Sequence, residues 1–151
     1  MSADPLALES QLCFALAVAT RKVVAAYKEP LEPLGLTHPQ YLAMLALWGR
    51  SPRSLGELAR SLALDAATLS PLIKRLEAQG LVTRTRREGD ERTLDVALTP
   101  AGQALREKAE QVPVKVAGMF RMGEEEFVQL REMLHRLIAA ADGAAIPGAG
   151  E

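Results

Sequence analysis

The chain has 151 residues, 48% apolar and 25% charged, with a formal net charge of -1 at pH 7. That length suits one compact domain, and the charge excludes a polycation, so any nucleic-acid footprint must be local. No apolar run is long enough to span a bilayer, no signal-peptide pattern opens the chain, and the lone Cys13 has no partner for a disulfide within the chain; the compartment expected is the cytoplasm.

From Asp4 to Ala26 the residues are mostly helix formers, with Leu12, Ala15, Leu16, Ala19, Val23 and Ala26 at helical spacing. Two starts are open: Asp4 followed by Pro5, or Ser10, which would put Cys13 at the third helical position. Pro30, Pro33 and Gly35 end this helix and make a connector. Thr37 can cap a second helix through Tyr41, Leu42, Met44, Leu45 and Trp48. Ser54 and Glu57 form a capping box for a short third helix with Leu55, Leu58, Ala59 and Leu62 on one face. Ala63 and Leu64 turn the chain. Asp65 caps a fourth helix that buries Leu69, Leu72, Ile73 and Leu76 and stops at Gly80.

Two β-prone segments follow, Leu81–Arg84 and Thr93–Leu98, the second with Leu94, Val96 and Leu98 alternating. A charged loop, Arg86–Arg92, joins them around Gly89. Thr99 and Pro100 then open a long helix that Pro113 should kink, and Glu124–Glu126 suit the start of a last helix carrying Phe127, Leu130, Leu134, Leu137 and Ile138. The fold expected is mostly α with a small β-hairpin. A winged helix-turn-helix at about 37–99 is flanked by N- and C-terminal dimerisation helices at about 5–29 and 100–142, and a disordered tail occupies about 143–151. The terminal helices carry more apolar face than so small a module can cover, and a dimer would bury the surplus.

A winged helix-turn-helix suits duplex DNA. Lys74, Arg75, Arg84, Arg86 and Arg87 stand against the single acid Glu77, a basic stretch that can neutralise phosphates. Thr68 and Ser70 lie early in the recognition helix, where short hydroxyls reach base edges or phosphates. A charge run by itself reads as a solvated face; helix, turn, helix and wing in order favour DNA. Composition alone reads Cys13 as a small buried residue between Leu12 and Phe14. His135 stands isolated, and Met44, Met119, Met122 and Met133 read as core fillers. Two separated histidines and one cysteine make no metal ligand set, and no cofactor motif is present. No phosphate loop, nucleophile elbow or carboxylate pair suggests an enzyme.

The segments Leu81-Val82-Thr83-Arg84, Asp90-Glu91-Arg92 and Leu98-Thr99-Pro100-Ala101-Gly102 resemble the wing region of MarR-type repressors. Three more segments are similar to the organic hydroperoxide resistance branch of that family: Gln11-Leu12-Cys13-Phe14, Leu34-Gly35-Leu36-Thr37-His38-Pro39-Gln40-Tyr41, and Leu64-Asp65-Ala66-Ala67-Thr68-Leu69-Ser70-Pro71-Leu72. The resemblance implies a homodimeric repressor on a palindromic double-stranded operator, released when an organic hydroperoxide oxidises its N-terminal cysteine. Cys13 matches that cysteine. The family's sulfur-binding tyrosines reach across from the partner subunit; Tyr27 matches one, while His38 stands at the second position and Ala17 at a third. With no second cysteine, the oxidised sulfur would be capped by a low-molecular-weight thiol or oxidise further. The resemblance also makes Arg92 the minor-groove arginine of the wing, with Asp90 close enough to orient its guanidinium. The rival readings are a MarR-type repressor answering to a small aromatic or lipophilic ligand, and a thiol peroxidase-like cysteine enzyme.

Overall fold

Side-chain caps fix most helix starts in this chain. The computed structural model describes residues 4–144 and 146. The Thr37 hydroxyl accepts the Gln40 N–H at the head of α2 (His38–Gly49), and the Gln40 side chain accepts the Thr37 N–H in return. Ser54 and Glu57 make the same reciprocal box for α3 (Leu55–Ser61). Asp65 caps α4 (Ala66–Ala78) by accepting the Thr68 N–H at 2.6 Å, and Thr99 caps α5 (Pro100–Ala109) by accepting that of Gly102. Each cap satisfies a donor that the first helical turn leaves free. Ala63, in the left-handed region at φ 53°, makes the turn between α3 and α4.

The first helix departs from both expected starts. α1 runs Leu12–Leu31 with Gln11 at its N-cap, and neither Asp4 nor Ser10 caps it. Asp4 accepts the Leu6 N–H instead, and Leu8–Ser10 form a separate 3-10 turn. The Gln11 amide turns back to the Pro5 and Ala7 carbonyls, tying that turn to the helix. Cys13 is therefore the second residue of α1 rather than the third. Nor does Pro30 end the helix: it lies inside, and Pro30 and Leu31 are both buried, so core packing holds the last turn in place.

The expected long helix after Thr99 is also corrected. It divides into α5 and α6 (Gln111–Met119), and the last helix, α7 (Glu124–Gly143), starts at Glu124 as expected. Pro113 has no N–H for the Ala109 carbonyl, and its ring crowds that oxygen, so the break falls at Glu110, a turn earlier than the proline itself. Phe120 and Phe127 meet edge-to-face at 5.8 Å and close the corner between α6 and α7.

The wing is a three-stranded antiparallel sheet in the order β1-β3-β2, from β1 (Arg53–Ser54), β2 (Val82–Arg87) and β3 (Asp90–Leu98). Sequence patterning misses β1, because two residues show no period. Arg86 pairs with Leu94 but Arg87 with Asp90, so Glu91, Arg92 and Thr93 bulge from β3 without partners on β2.

The core joins Leu31 of α1, Met44 and Leu47 of α2, Leu58 of α3, Leu69, Ile73 and Leu76 of α4, Val82 and Val96 of the sheet, and Val112 of α6. No residue of α7 is buried. Among the described residues no helix is long and apolar enough to cross a membrane. Gly143 closes α7; of the tail expected beyond it, all but 144 and 146 lies outside the described residues.

Candidate nucleic-acid interface and cysteine site

Helical geometry sets which side of α4 faces outward. With Leu69, Ile73 and Leu76 buried, Ala67, Pro71, Lys74 and Ala78 form the outer stripe. Thr68 and Arg75 lie on one shoulder of that stripe and Ser70 on the other. Thr68, Lys74 and Arg75 are exposed and Ser70 is half-buried. Ala67 and Pro71 carry no polar group, so a search of the sequence for hydrogen-bonding residues passes over them. A small apolar side chain there can still meet a thymine methyl.

The basic residues of the wing differ in what they are free to do. Arg84 is engaged inside the fold, its guanidinium on Glu77 of α4 at 3.0 and 3.2 Å while its backbone N–H donates to the same carboxylate. These hydrogen bonds hold the Glu77 carboxyl below its ordinary pKa. The pair fastens the recognition helix to β2. Arg87 is likewise engaged, on Asp95 at 2.8 and 3.1 Å. Arg86 donates to the Glu91 carbonyl at 2.8 Å and supports the bulge from below. Among the described residues Lys74, Arg75, Arg86 and Arg92 carry no ion pair.

Asp90 does not orient the Arg92 guanidinium. Its carboxylate accepts the Arg92 backbone N–H at 3.1 Å and the Thr93 hydroxyl at 2.5 Å. The Thr93 hydroxyl first, and then the Arg92 N–H, keep the Asp90 carboxyl below its ordinary value. Asp90 thus shapes the bulge, and the bulge sets Arg92 out at the wing tip with its guanidinium unpaired. One strut escapes any sequence pattern: Arg53 reaches from β1 to the Ala46 carbonyl of α2 and the Ser61 hydroxyl of α3, at 3.2 and 2.6 Å.

Cys13 is exposed in the first turn of α1. Tyr27 lies on the same helix fourteen residues later, about 21 Å along the axis at 1.5 Å per residue. The two cannot meet within one protomer. Tyr27 does meet His38: their rings lie 5.0 Å apart, and the ring of Tyr41, one turn further along α2, lies 5.7 Å from that of Tyr27. Burial raises the Tyr27 pKa and, with a smaller contribution from Tyr27, that of Tyr41. Burial also pushes the His38 ring below its ordinary pKa of 6.5, favouring the neutral imidazole. Lys28 and Glu32 border the same depression as His38.

That shift has a stability consequence. Above pH 6.5 both folded and unfolded chains hold a neutral His38, so nothing changes there. As pH falls below 6.5 the unfolded chain takes up the proton first, and the folded state loses stability until its own lower pKa is passed. The thermal midpoint of the wild type should therefore drop more than that of His38→Tyr between pH 7.5 and pH 5.5 in a series of thermal melts. Parallel curves would mean that burial of the ring has no energetic weight.

A model of the MarR family matches residues 36–94. The chain is 41% identical over 135 residues to the organic hydroperoxide resistance transcriptional regulator of Bacillus subtilis, covering 89% of this chain and 92% of that one. Among solved structures it is similar to reduced AbfR bound to DNA, with a TM-score of 0.77 and 32% identity over 90% of this chain and 93% of that one. It is also similar to the transcriptional repressor CouR bound to a 23-mer DNA duplex, with a TM-score of 0.80 and 25% identity over 91% of this chain and 99% of that one.

Proposed function

The chain belongs to the MarR family of DNA-binding transcriptional regulators, and from that premise we propose that it is a cytoplasmic homodimeric repressor released from a palindromic operator when an organic hydroperoxide oxidises Cys13. The observation that carries this reading is the division of the sensing residues between the two ends of α1. Cys13 stands exposed at one end, and the Tyr27–His38 pair waits at the other, about 21 Å away. A second copy packed antiparallel along α1 brings each thiol to the other protomer's pair, so the site is complete only in the dimer. Similarity to a hydroperoxide resistance regulator supports the same assignment.

The chemistry is a two-electron oxidation. The Cys13 thiolate attacks the terminal peroxide oxygen, the O–O bond breaks, and the alkoxide leaves as an alcohol after taking up a proton. The product is a sulfenic acid, larger and more polar than the thiol. It then condenses with a low-molecular-weight thiol, losing water, or oxidises further, because this chain has no second cysteine. Tyr27 and the neutral His38 supply the hydrogen-bonding groups that receive the sulfur from across the dimer.

On the DNA side, Thr68, Ser70, Lys74 and Arg75 of α4 enter the major groove and Arg92 of the wing reaches the minor groove, with Arg86, Arg87 and Asp90 shaping and charging the hairpin between them. Re-packing of the dimer helices on oxidation changes the spacing of the two recognition helices, which must match half-sites about 34 Å apart.

The test uses a duplex selected by the reduced wild-type protein from a random-sequence pool. Titration of the complex with cumene hydroperoxide should release wild type at about one equivalent per protomer, one thiol being consumed each time. Cys13→Ser should bind the same duplex and stay bound throughout. Identical release curves would overturn the redox reading. A ligand-responsive repressor would then take its place, a reading favoured by the cavity of about 420 Å³ between α2 and the α5–α6 corner, walled by Tyr41, Leu45, Trp48 and Pro113.

A further inference from the structure

Gln40 is the one buried polar side chain among the described residues, 6% exposed in a core otherwise made of leucine, isoleucine, valine, methionine and alanine with one tyrosine. A buried amide is costly unless its hydrogen bonds are made, and those bonds fix geometry in a way apolar contacts do not. Both ends of this amide are used. Its oxygen accepts the Thr37 N–H at 2.9 Å, and its nitrogen donates to the Gln79 side-chain oxygen at 3.0 Å. The Gln79 nitrogen donates in turn to the Gly35 carbonyl at 2.8 Å. The two glutamines, 39 residues apart in the chain, close a ring of hydrogen bonds between two regions.

One region is the connector and first turn of α2, residues 35–40. It includes His38, whose ring lies against Tyr27 of α1. The other is the C-cap of the recognition helix, because Gln79 ends α4. The remaining grip on α4 from this side is apolar, through Leu69, Ile73 and Leu76, and such contacts tolerate small rotations. The paired amides do not. A displacement of the α2 first turn is thus passed to one end of a helix whose other end carries Thr68 and Ser70.

We propose that the Gln40–Gln79 amide pair is the positioning link that couples the Tyr27–His38 corner to the setting of the recognition helix on DNA. This rests on the reading of Cys13 given above for its natural trigger, but not for its existence. Neither glutamine touches DNA or sulfur in this scheme; each acts through the element it holds.

The test has two arms, both on the full-length dimer and the selected duplex. In the first, wild type and Gln79→Met are oxidised with cumene hydroperoxide to the same extent, followed by intact mass. Gln79→Met keeps the length and volume of the side chain and loses its hydrogen bonds. It should bind in the reduced state, yet lose at least about fivefold less affinity on oxidation than wild type does, the scale expected for directly coupled groups. Gln79→Glu keeps an acceptor for Gln40 and loses the donor to Gly35, and should fall between the two. Equal losses in all three proteins would overturn the proposal.

The second arm does not involve peroxide. His38→Ala, Gln79→Met and the double variant are compared for duplex affinity in the reduced state. Coupling predicts that the double variant departs from the product of the single effects by about fivefold or more, and additivity within about twofold would overturn the link. If wild type shows no response to peroxide, the first arm reports failure of the Cys13 reading and the second still decides the link. Circular dichroism and thermal melts on each variant separate local unfolding from loss of coupling.

Discussion

Gly102→Ala should destabilise the protein by about 3 kcal/mol, the upper range for overpacking, even though alanine is the better helix former. Gly102 sits in the first turn of α5 and is buried. A Cβ there would drive into the Leu81 carbonyl oxygen, with the carbonyl carbon at 3.0 Å and Leu98 Cδ2 at 3.3 Å. The leading obstacle is backbone, which has no rotamer to escape into. Nor can α5 retreat cheaply. The Gly102 carbonyl accepts the Trp48 indole N–H at 2.9 Å, and Thr99 holds the start of the helix by donating to the Gly80 carbonyl. Both ties loosen together if the turn moves. For a chain of this size the loss corresponds to a fall in thermal midpoint of about 10 °C, measured at fixed protein concentration because the dimer contributes to the midpoint. A midpoint within a degree or two of wild type would mean that the close approach relaxes at little cost.

Leu130→Asp combined with Leu137→Asp should convert the dimer to monomers and lower affinity for a palindromic duplex by about a hundredfold or more, the benefit of two linked sites being lost. α7 is a 20-residue helix with no buried residue. An isolated helix of that kind is marginal in water, and its own protomer covers only part of it, at Phe127, Val128 and Leu134; on the dimeric reading a second chain covers the rest. Leu130 and Leu137 are 48% and 38% exposed and lie nearly in line along it, with Met133 and Ile138 exposed beside them. Leu134 is half-buried against its own protomer, which makes it the poorer choice for a clean test. Sedimentation should give a monomer whose circular dichroism retains the winged module. A double variant that stays dimeric and binds as wild type does would remove α7 from the interface.

Local signals proved readable in the sequence, and pairings across the chain did not. Thr37, Ser54, Asp65 and Thr99 each announce a helix within three residues of themselves, and all four act as caps. Gly80 announces the end of α4 and adopts φ 76°. The start of α1 was ambiguous because Asp4 and Ser10 both have capping chemistry, while Gln11, which takes the position, has none for its own helix. The break at Glu110 follows from Pro113, but its exact place depends on the carbonyl four residues back. The charge run on the wing could not be divided from sequence into working and engaged arginines. Arg84 finds Glu77 and Arg87 finds Asp95 only once helix and hairpin are assembled. The Gln40–Gln79 contact was invisible for the same reason.

β2 has one further consequence. In the order β1-β3-β2 it bonds to β3 on one side only, and on the other the Glu77 carboxylate takes the Arg84 N–H while the rest of the strand lies at the sheet edge. Such edges invite pairing with another chain and, from there, aggregation. Val82-Thr83-Arg84-Thr85-Arg86-Arg87 resists it by charge density. Two copies stacking edge to edge would crowd their arginines, of which Arg86 has no acid to neutralise it among the described residues, with the bulged residues of β3 twisting the tip away from a flat approach. An edge guarded in this way is closed to a second protein strand without any residue of β2 leaving its place in the sheet.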